Sequence, residues 1–288
     1  MLKKALAFWP PNLIRKRESQ MSEVLVSVIM GVHNPKLDQL KDAVNSIIGQ
    51  SFTDWEMIIY GDGSSEEYHH GIANIAGLDS RISYYRSHKN QGLAKVLNKC
   101  IPLAKGKYIA RMDADDISLE TRLEKQVEFL NHNPNISWVG TGAYLLAGRS
   151  VWGNRRMKAF PQALDFLQYS PYIHPTVMFR REVLKSSKGY NSSKITRRCE
   201  DYELFMRLHK KGYRGYNIQE LLFIYREDMK AYERRTFESR FNEALVRYWG
   251  FNKLGIYNFT TMPYVVRPLV GGLIPSSVLF MIKRGCAL

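Results

Sequence analysis

The run from Gly106 to Asp116, GKYIARMDADD, places three carboxylates within four positions directly after a short, half-apolar segment. This pattern is typical of a β-strand whose carboxyl end opens onto an acidic cluster. Unpaired carboxylates repel one another and resist desolvation, so the cluster needs water, helix N-termini or a bound cation. Two interpretations stay open from this run alone. Either Asp115 or Asp116 caps a helix that begins near Leu119, or the cluster binds a divalent metal.

Periodic apolar residues predict strands that alternate with helices through the first half of the chain. The predicted strands cover 24–32, 55–60, 82–86 and 108–112, and helical periodicity covers 40–48, 92–104 and 119–130. Such alternation indicates an α/β fold, a Rossmann-like, mostly parallel sheet flanked by helices, which binds ligands at the carboxyl ends of its strands. Asn34, Asp62 and Asp113 all follow predicted strands, so this fold would bring them to one edge of the sheet.

The second half of the chain gives fewer periodic signals. Residues 148–158 carry four basic side chains and are expected to form a loop, whereas 176–179 is a predicted strand and 181–185 a helical turn. His174 precedes a proline, which favours extended backbone. A helix is predicted over 200–210, with Asp201 in its first turn.

Composition restricts the class of partner. The chain has 288 residues, enough to bury the core of one domain with extensions. Its 42 Lys and Arg residues against 27 Asp and Glu give a net charge of +15, which implies an anionic partner such as nucleic acid, an acidic membrane or a phosphorylated substrate. Cys100, Cys199 and Cys286 have neither paired nor metal-like spacing, which favours a reducing compartment.

Both ends of the chain combine basic and apolar residues. Residues 1–22 are predicted to form a basic amphipathic extension, and Trp9-Pro10-Pro11 argues against a signal peptide. Residues 229–288 are predicted to form a helical, basic-apolar extension that associates with an anionic membrane surface. A transmembrane helix is not predicted, because Arg267 and several prolines interrupt the apolar run that it would need. The alternative is that this extension packs back onto the domain.

Several segments, taken in order, resemble the family 2 glycosyltransferases, inverting nucleotide-sugar enzymes of the GT-A fold. The segments are 26–34, 46–64, 90–98, the acidic run 106–116, 174–181 and 200–204. The resemblance implies a GT-A catalytic domain over 23–228, with a nucleotide-sugar half over about 23–117 and an acceptor half over about 118–228.

The resemblance also implies roles for the acidic residues. Asp201 would be the catalytic base that deprotonates the acceptor hydroxyl. Asp115 would bind the Mg²⁺ or Mn²⁺ ion that contacts the donor diphosphate. Asp113 would contact the ribose or the same metal. Asp116 would cap a helix or support the cluster. Asp62 would accept a hydrogen bond from the nucleotide base, commonly uracil, although Gly61 stands where the family usually has a first Asp.

Four other residues are candidates for the binding site. Lys95 and Asn98 share a helix face and would bind the nucleotide or diphosphate. His174 would lie on the acceptor or diphosphate side, and Glu200 would raise the pKa of the neighbouring base. Structural alternatives stay open for these positions, since a lone histidine is often structural and Glu200-Asp201 could simply complement a helix dipole.

The expected function is an inverting, metal-dependent transfer of a hexose from a nucleotide sugar, UDP-linked by family habit, to a polyprenyl-diphosphate-linked saccharide in O-antigen or capsule synthesis. The expected location is cytoplasmic, peripheral on the inner face of the cell membrane, with no nucleic-acid partner. A nucleic-acid or anionic-membrane binding protein without catalysis is the alternative class. A dinucleotide oxidoreductase is disfavoured because no Gly-x-Gly-x-x-Gly follows the first strand.

Overall fold

The computed structural model describes residues 24–227 and 236–274, together with Val278. Its first half alternates strand and helix as β1 (Val26–Val32), α1 (Leu37–Ile48), β2 (Trp55–Asp62), α2 (Glu66–Ala76), β3 (Ile82–Ser87), α3 (Leu93–Leu103) and β4 (Tyr108–Arg111). These four strands pair in parallel in the order β3-β2-β1-β4. The predicted parallel sheet is therefore confirmed, and β1, β2 and β4 end at the same edge.

The second half extends this sheet with mostly antiparallel pairs. Its elements are β5 (Ile117–Ser118), α4 (Arg122–His132), β6 (Trp138–Ala147), β7 (Ser150–Arg155), β8 (Met178–Arg180), α5 (Arg181–Ser186), α6 (Glu200–Lys210) and β9 (Gly215–Arg226). The sheet continues from β4 through β8, β6 and β9 to β5, and β7 pairs with β6. The β4–β8 pair is antiparallel, so it directs the start of β8 toward the acidic end of β4.

Three local predictions are wrong. Residues 148–158 are not a loop, because β7 forms a hairpin with β6 across a turn in which Gly148 has φ +61°. His174 is not extended, since His174–Thr176 is a 3₁₀ turn that closes with a 2.9 Å bond from Thr176 N to the Ile173 carbonyl. The helix predicted from Leu119 begins at Arg122, because Leu119 N instead donates to the Leu222 carbonyl of β9.

A buried polar layer fixes the end of β4. The Arg122 guanidinium, fully buried, donates from Nη2 to the Arg111 carbonyl at 2.8 Å. Burial, together with the nearby charge of Arg111, lowers the pKa of Arg122 to about 9. Gln126, also fully buried, donates to the carbonyls of Val139 and Thr176 at 2.9 and 2.7 Å. Helix α4 thus holds both the strand end and the 3₁₀ turn.

A second link joins the two halves through Asn98 of α3. Its Nδ2 donates to the Tyr190 carbonyl and its Oδ1 accepts from the Tyr190 amide, each at 2.8 Å. Gly189 has φ +65°, and a Cβ there would lie 2.2 Å from Asn98 Oδ1, so both the backbone and the available space require glycine. Arg207 of α6 also donates to the carbonyls of Ser187 and Gly189. The turn that carries Tyr190 is therefore held from two sides.

Two C-terminal helices, α7 (Phe237–Leu254) and α8 (Met262–Gly271), pack on this domain. Arg247, 4% exposed, donates to the carbonyls of Leu167, Gln168 and Tyr264, which joins both helices to the segment before the 3₁₀ turn. The helical part of the predicted extension is thus packed on the domain over these residues. The predicted N-terminal extension 1–22 and Cys286 lie outside the described residues. Within residues 24–227 and 236–274, no helix combines the length and apolarity needed to cross a bilayer.

Candidate active site

The three carboxylates that follow β4 lie together at the carboxyl edge of the sheet. One ligand oxygen from each of Asp113, Asp115 and Asp116 falls within 4.8 Å of the other two. Asp113 is half-buried, Asp115 is exposed and Asp116 is buried. Carboxylate oxygens are the ligands that Mg²⁺ and Mn²⁺ prefer, so the donor set fits the predicted metal.

Asp116 shows why a cation would be favourable here. Its Oδ1 accepts a 2.8 Å bond from the Arg226 amide, whereas its buried Oδ2 has no hydrogen-bond partner in the described chain. Burial and the charges of Asp113 and Asp115 raise its pKa well above the ordinary value. Although Asp115 as a residue is exposed, desolvation of its carboxyl group within the cluster and the charge of Asp113 raise its pKa to about 6. Helix α4 is preceded by Thr121, without a side-chain cap, so neither Asp115 nor Asp116 caps it.

Arg111, the last residue of β4, supplies the buried positive charge beside these carboxylates. It is 3% exposed and forms an ion pair with Asp113, while its Nε has no hydrogen-bond partner among the described residues. Burial opposes its charge, but the Coulombic attraction and hydrogen bond of Asp113 outweigh it and raise the pKa of Arg111. Sequence reasoning missed this residue, because it follows three strand residues and looks like part of an ordinary strand.

The predicted base, Asp201, lies at the start of α6. Asp201 is half-buried in the first turn, directly after Glu200, which is 9% exposed. Burial and the Asp201 charge raise the pKa of Glu200 to about 7, against the lowering effect of Arg111. The Oε2 atom of Glu200 is buried without a hydrogen-bond partner within the described part of the chain. Glu200 and Asp201 thus form a crowded acidic pair, and the predicted effect of Glu200 on the pKa of Asp201 remains a prediction.

His174 and Tyr190 form a buried hydrogen-bonded pair. His174 Nε2 and the Tyr190 hydroxyl lie 2.8 Å apart, and both side chains are buried. Burial and the charge of Arg111 lower the pKa of His174 well below its ordinary value, so the ring is neutral. The charges of Arg111, Asp201, Glu200 and Asp113 all act on Tyr190. Both acidic groups therefore face one buried tyrosine.

On the nucleotide side, Asp62 organises a loop. Its two carboxylate oxygens accept hydrogen bonds from the amides of Gln91 and Gly92 at 2.7 and 2.8 Å, and its side chain is buried. Asp62 thus fixes the N-terminal end of α3; its contact with a nucleotide base remains a prediction. Lys95 is exposed on α3. The expectation for Asn98 needs correction, because both of its amide atoms bind the Tyr190 backbone and are not directed to a nucleotide.

Glu200→Gln tests the crowding at the start of α6. The unfolded chain loses this proton near pH 4.5, whereas the folded chain keeps it until about pH 7. The wild-type free energy of unfolding should therefore fall across this window, by about 3 kcal/mol at most, and the Gln variant should escape that loss. Urea unfolding at a series of pH values measures the difference between the two proteins.

Glu67→Gln is the control, because it removes a solvent-exposed carboxylate from the first turn of another helix, α2. If Glu200→Gln and wild type keep a constant stability difference across the window, the raised pKa of Glu200 is wrong.

Comparison with curated proteins finds glycosyltransferases. EpsE of Bacillus subtilis (strain 168), provisionally named a glycosyltransferase, is 36% identical over 259 residues, which cover 88% of this chain and 91% of EpsE. WbnJ of Escherichia coli, named an O-antigen biosynthesis glycosyltransferase, is 32% identical over 215 residues, covering 72% of this chain and 81% of WbnJ.

Solved structures share the fold. S. aureus TarS 1–349 in complex with UDP-GlcNAc superposes with a TM-score of 0.63 at 16% identity, covering 86% of this chain and 71% of that one. The mannosyltransferase PcManGT from Pyrobaculum calidifontis in complex with GDP-Man and Mn²⁺ gives a TM-score of 0.59 at 15% identity, covering 91% and 80%. These likenesses confirm the predicted GT-A architecture. The sequence profile described as glycosyl transferase family 2 matches residues 27–187. Since this match spans more than half of the sequence and agrees with the relatives, the chain belongs to glycosyl transferase family 2 and is a glycosyltransferase.

Proposed function

We propose that this glycosyltransferase moves a hexose from a nucleotide sugar, UDP-linked, to a saccharide acceptor with inversion at the anomeric carbon. The observation that carries the proposal is the presence of two acidic groups, the carboxylate cluster after β4 and the Glu200–Asp201 pair, whose charges both act on the buried Tyr190. The names of WbnJ and of TuaG, a B. subtilis relative provisionally assigned to teichuronic acid biosynthesis, support a saccharide acceptor. The TarS complex with UDP-GlcNAc supports a UDP-linked donor.

The donor side needs charge neutralisation. A divalent cation, when held by Asp115 and Asp113, supplies positive charge against the departing diphosphate. Asp116 supports this edge by binding the Arg226 amide. Asp62 orders the loop at the head of α3, beside which the nucleotide would lie. The residues of the first half thus bind and orient the donor.

The acceptor side needs a base. Asp201 takes the proton from the attacking hydroxyl, which approaches the sugar from the face opposite the diphosphate and so inverts its configuration. A carboxylate is a weak base in water, and the crowding with Glu200 favours proton uptake by the pair as a whole. A screen that measures UDP, GDP or dTDP release from their sugars, with and without Mn²⁺, tests the donor class directly.

Asp201→Asn should remove the base and keep the side-chain shape. We expect the turnover number to fall by roughly 10²–10⁴-fold, while the affinity for UDP stays within about twofold of wild type. Nucleotide release and calorimetric titration with UDP measure the two quantities. Asp165→Asn, on the 3₁₀ turn Ala163–Phe166, is a matched control that should keep full activity. A UDP affinity that collapses in step with the rate would place Asp201 on the donor side.

We further propose that the acceptor saccharide is lipid-linked and that the protein lies on the cytoplasmic face of the membrane. Its C-terminal helices support this proposal, because Arg247 and Val265 bind the domain while apolar side chains cover the outer surface. These exposed side chains are Phe237, Phe241, Tyr248, Trp249, Phe259, Met262, Val266, Val270 and Leu273. Apolar side chains that dip into lipid, combined with a net charge of +15, suit an anionic bilayer surface.

The pair of changes Val266→Asp and Val270→Asp tests the membrane surface. The two valines are 38% and 56% exposed, one helical turn apart on α8, so the charges should repel anionic lipid and leave the fold intact. Sedimentation with phosphatidylglycerol vesicles should show binding weakened by roughly tenfold or more, while transfer to a short soluble acceptor persists. Leu78→Asp, at an exposed site just after α2, should bind vesicles like wild type. Equal binding by all three proteins would exclude this surface.

A further inference from the structure

Tyr190 and His174 form a buried pair held in place by the surrounding backbone. The Tyr190 hydroxyl lies 2.8 Å from His174 Nε2, and the side chains are 3% and 8% exposed. The Asn98 side chain donates to the carbonyl and accepts from the amide of Tyr190. Gln126 donates to the Thr176 carbonyl and so stabilises the 3₁₀ turn that contains His174. Neither ring can therefore change its partner without disturbing a larger network.

The hydrogen-bond inventory of the pair fixes its protons. A buried phenol must donate its proton, and the Tyr190 hydroxyl has one hydrogen-bond partner in the described chain, His174 Nε2. Nε2 is then the acceptor. A neutral imidazole carries a single proton, which must therefore lie on Nδ1. Burial, reinforced by the positive charge of Arg111, keeps the ring from taking a second proton.

Among the described residues, the Nδ1 atom of His174 has no hydrogen-bond partner. His174 makes no other side-chain hydrogen bond with residues 24–227 or 236–274, and Nδ1 is not among the buried polar atoms that lack a partner, so solvent reaches it. The Nδ1–H group of His174 is a neutral hydrogen-bond donor that is held in place and open to solvent. Such a group is suited to donate a hydrogen bond to an oxygen atom of a bound substrate. This arrangement would cost little reorganisation on binding.

We propose that Tyr190 is a positioning residue that fixes His174 as the Nδ1–H tautomer, and that this N–H donates a hydrogen bond to a substrate oxygen. The proposal rests on the proposed transferase function and names a residue and an atom for that site. The oxygen belongs either to the donor diphosphate or to an acceptor hydroxyl, since both are hydrogen-bond acceptors. The role of Tyr190 is indirect, through the ring of His174.

The chain offers a matched control for removing one tyrosine hydroxyl. Tyr172 and His209 form a second buried pair of the same kind, with the hydroxyl 3.0 Å from Nε2. Tyr190→Phe should lower kcat/KM by roughly tenfold or more, because the histidine is no longer held in one tautomer. Tyr172→Phe should keep wild-type activity. Equal losses in both variants would mean that the hydroxyls serve packing alone, and the proposal would fail.

Two substitutions of His174 test which nitrogen donates. An asparagine amide can place its N–H near the position of Nδ1, whereas a glutamine amide reaches the position of Nε2. We expect His174→Asn to keep most of the activity and His174→Gln to lose roughly tenfold or more. The reverse order would overturn the tautomer assignment. A higher acceptor KM in Tyr190→Phe would identify an acceptor hydroxyl, and a weaker UDP affinity would identify the diphosphate.

The tautomer can also be observed without activity. Nitrogen-15 NMR of the full chain, with the signal assigned through His174→Asn, should show protonated Nδ1 and unprotonated Nε2 in wild type and a mixture in Tyr190→Phe. Protonated Nε2 in wild type would overturn the proposal even if transfer is observed. Absence of transfer from every nucleotide sugar would instead refute the proposed function and leave the tautomer result standing.

Discussion

The buried ion pair between Arg111 and Asp113 is the interaction on which the arrangement of the site depends. Removing a guanidinium from water is costly unless a carboxylate compensates it, and Asp113 does so at the end of β4. The main chain of Arg111 is fixed as well, because its amide donates to the Val177 carbonyl and its carbonyl accepts from Arg122. One residue thus links the acidic edge, the 3₁₀ turn of His174 and helix α4.

The charge of Arg111 acts together with burial on the pKa values of its neighbours. It lowers the pKa of His174, which keeps the ring neutral, and it opposes the rise in the pKa of Glu200 that burial causes. Among the described residues, neither Asp115 nor Asp116 forms an ion pair like that of Asp113 with Arg111, and desolvation together with the neighbouring carboxylates raises their pKa values. The site therefore carries excess negative charge on the donor side, which is the side that a bound cation would neutralise.

Local periodicity in the sequence was enough to predict the parallel half of the sheet. Strands β2 and β4 are mostly apolar and end at a polar residue, so the edge of the sheet that holds Asp62 and Asp113 could be located. The start of α6 at Glu200 was likewise visible, because an apolar stripe follows the acidic pair. The comparisons with known proteins confirm the family and fold that the ordered motifs indicated.

The features that escaped sequence analysis depend on contacts between distant residues. Asn98 shares a helix face with Lys95, but its partner is the backbone of Tyr190 in the other half of the chain. Arg111 continues a strand pattern, and only the packing of α4 and β8 around it reveals a buried cation. Arg247 of α7 likewise donates to the carbonyls of Leu167 and Gln168, which lie about 80 positions earlier in the chain.

The most direct test of the account is the affinity for Mn²⁺ in the presence of UDP, measured by calorimetry on wild type and Asp115→Asn. We predict that Asp115→Asn binds Mn²⁺ roughly a hundredfold more weakly, a change of about 3 kcal/mol, and that it also loses sugar transfer activity. Because the change relieves repulsion from Asp113, the variant should melt no lower than wild type without metal. Asp38→Asn, in the first turn of α1, should bind Mn²⁺ like wild type. Equal Mn²⁺ affinity in Asp115→Asn and wild type, or transfer that EDTA does not reduce, would contradict the assignment of the acidic edge.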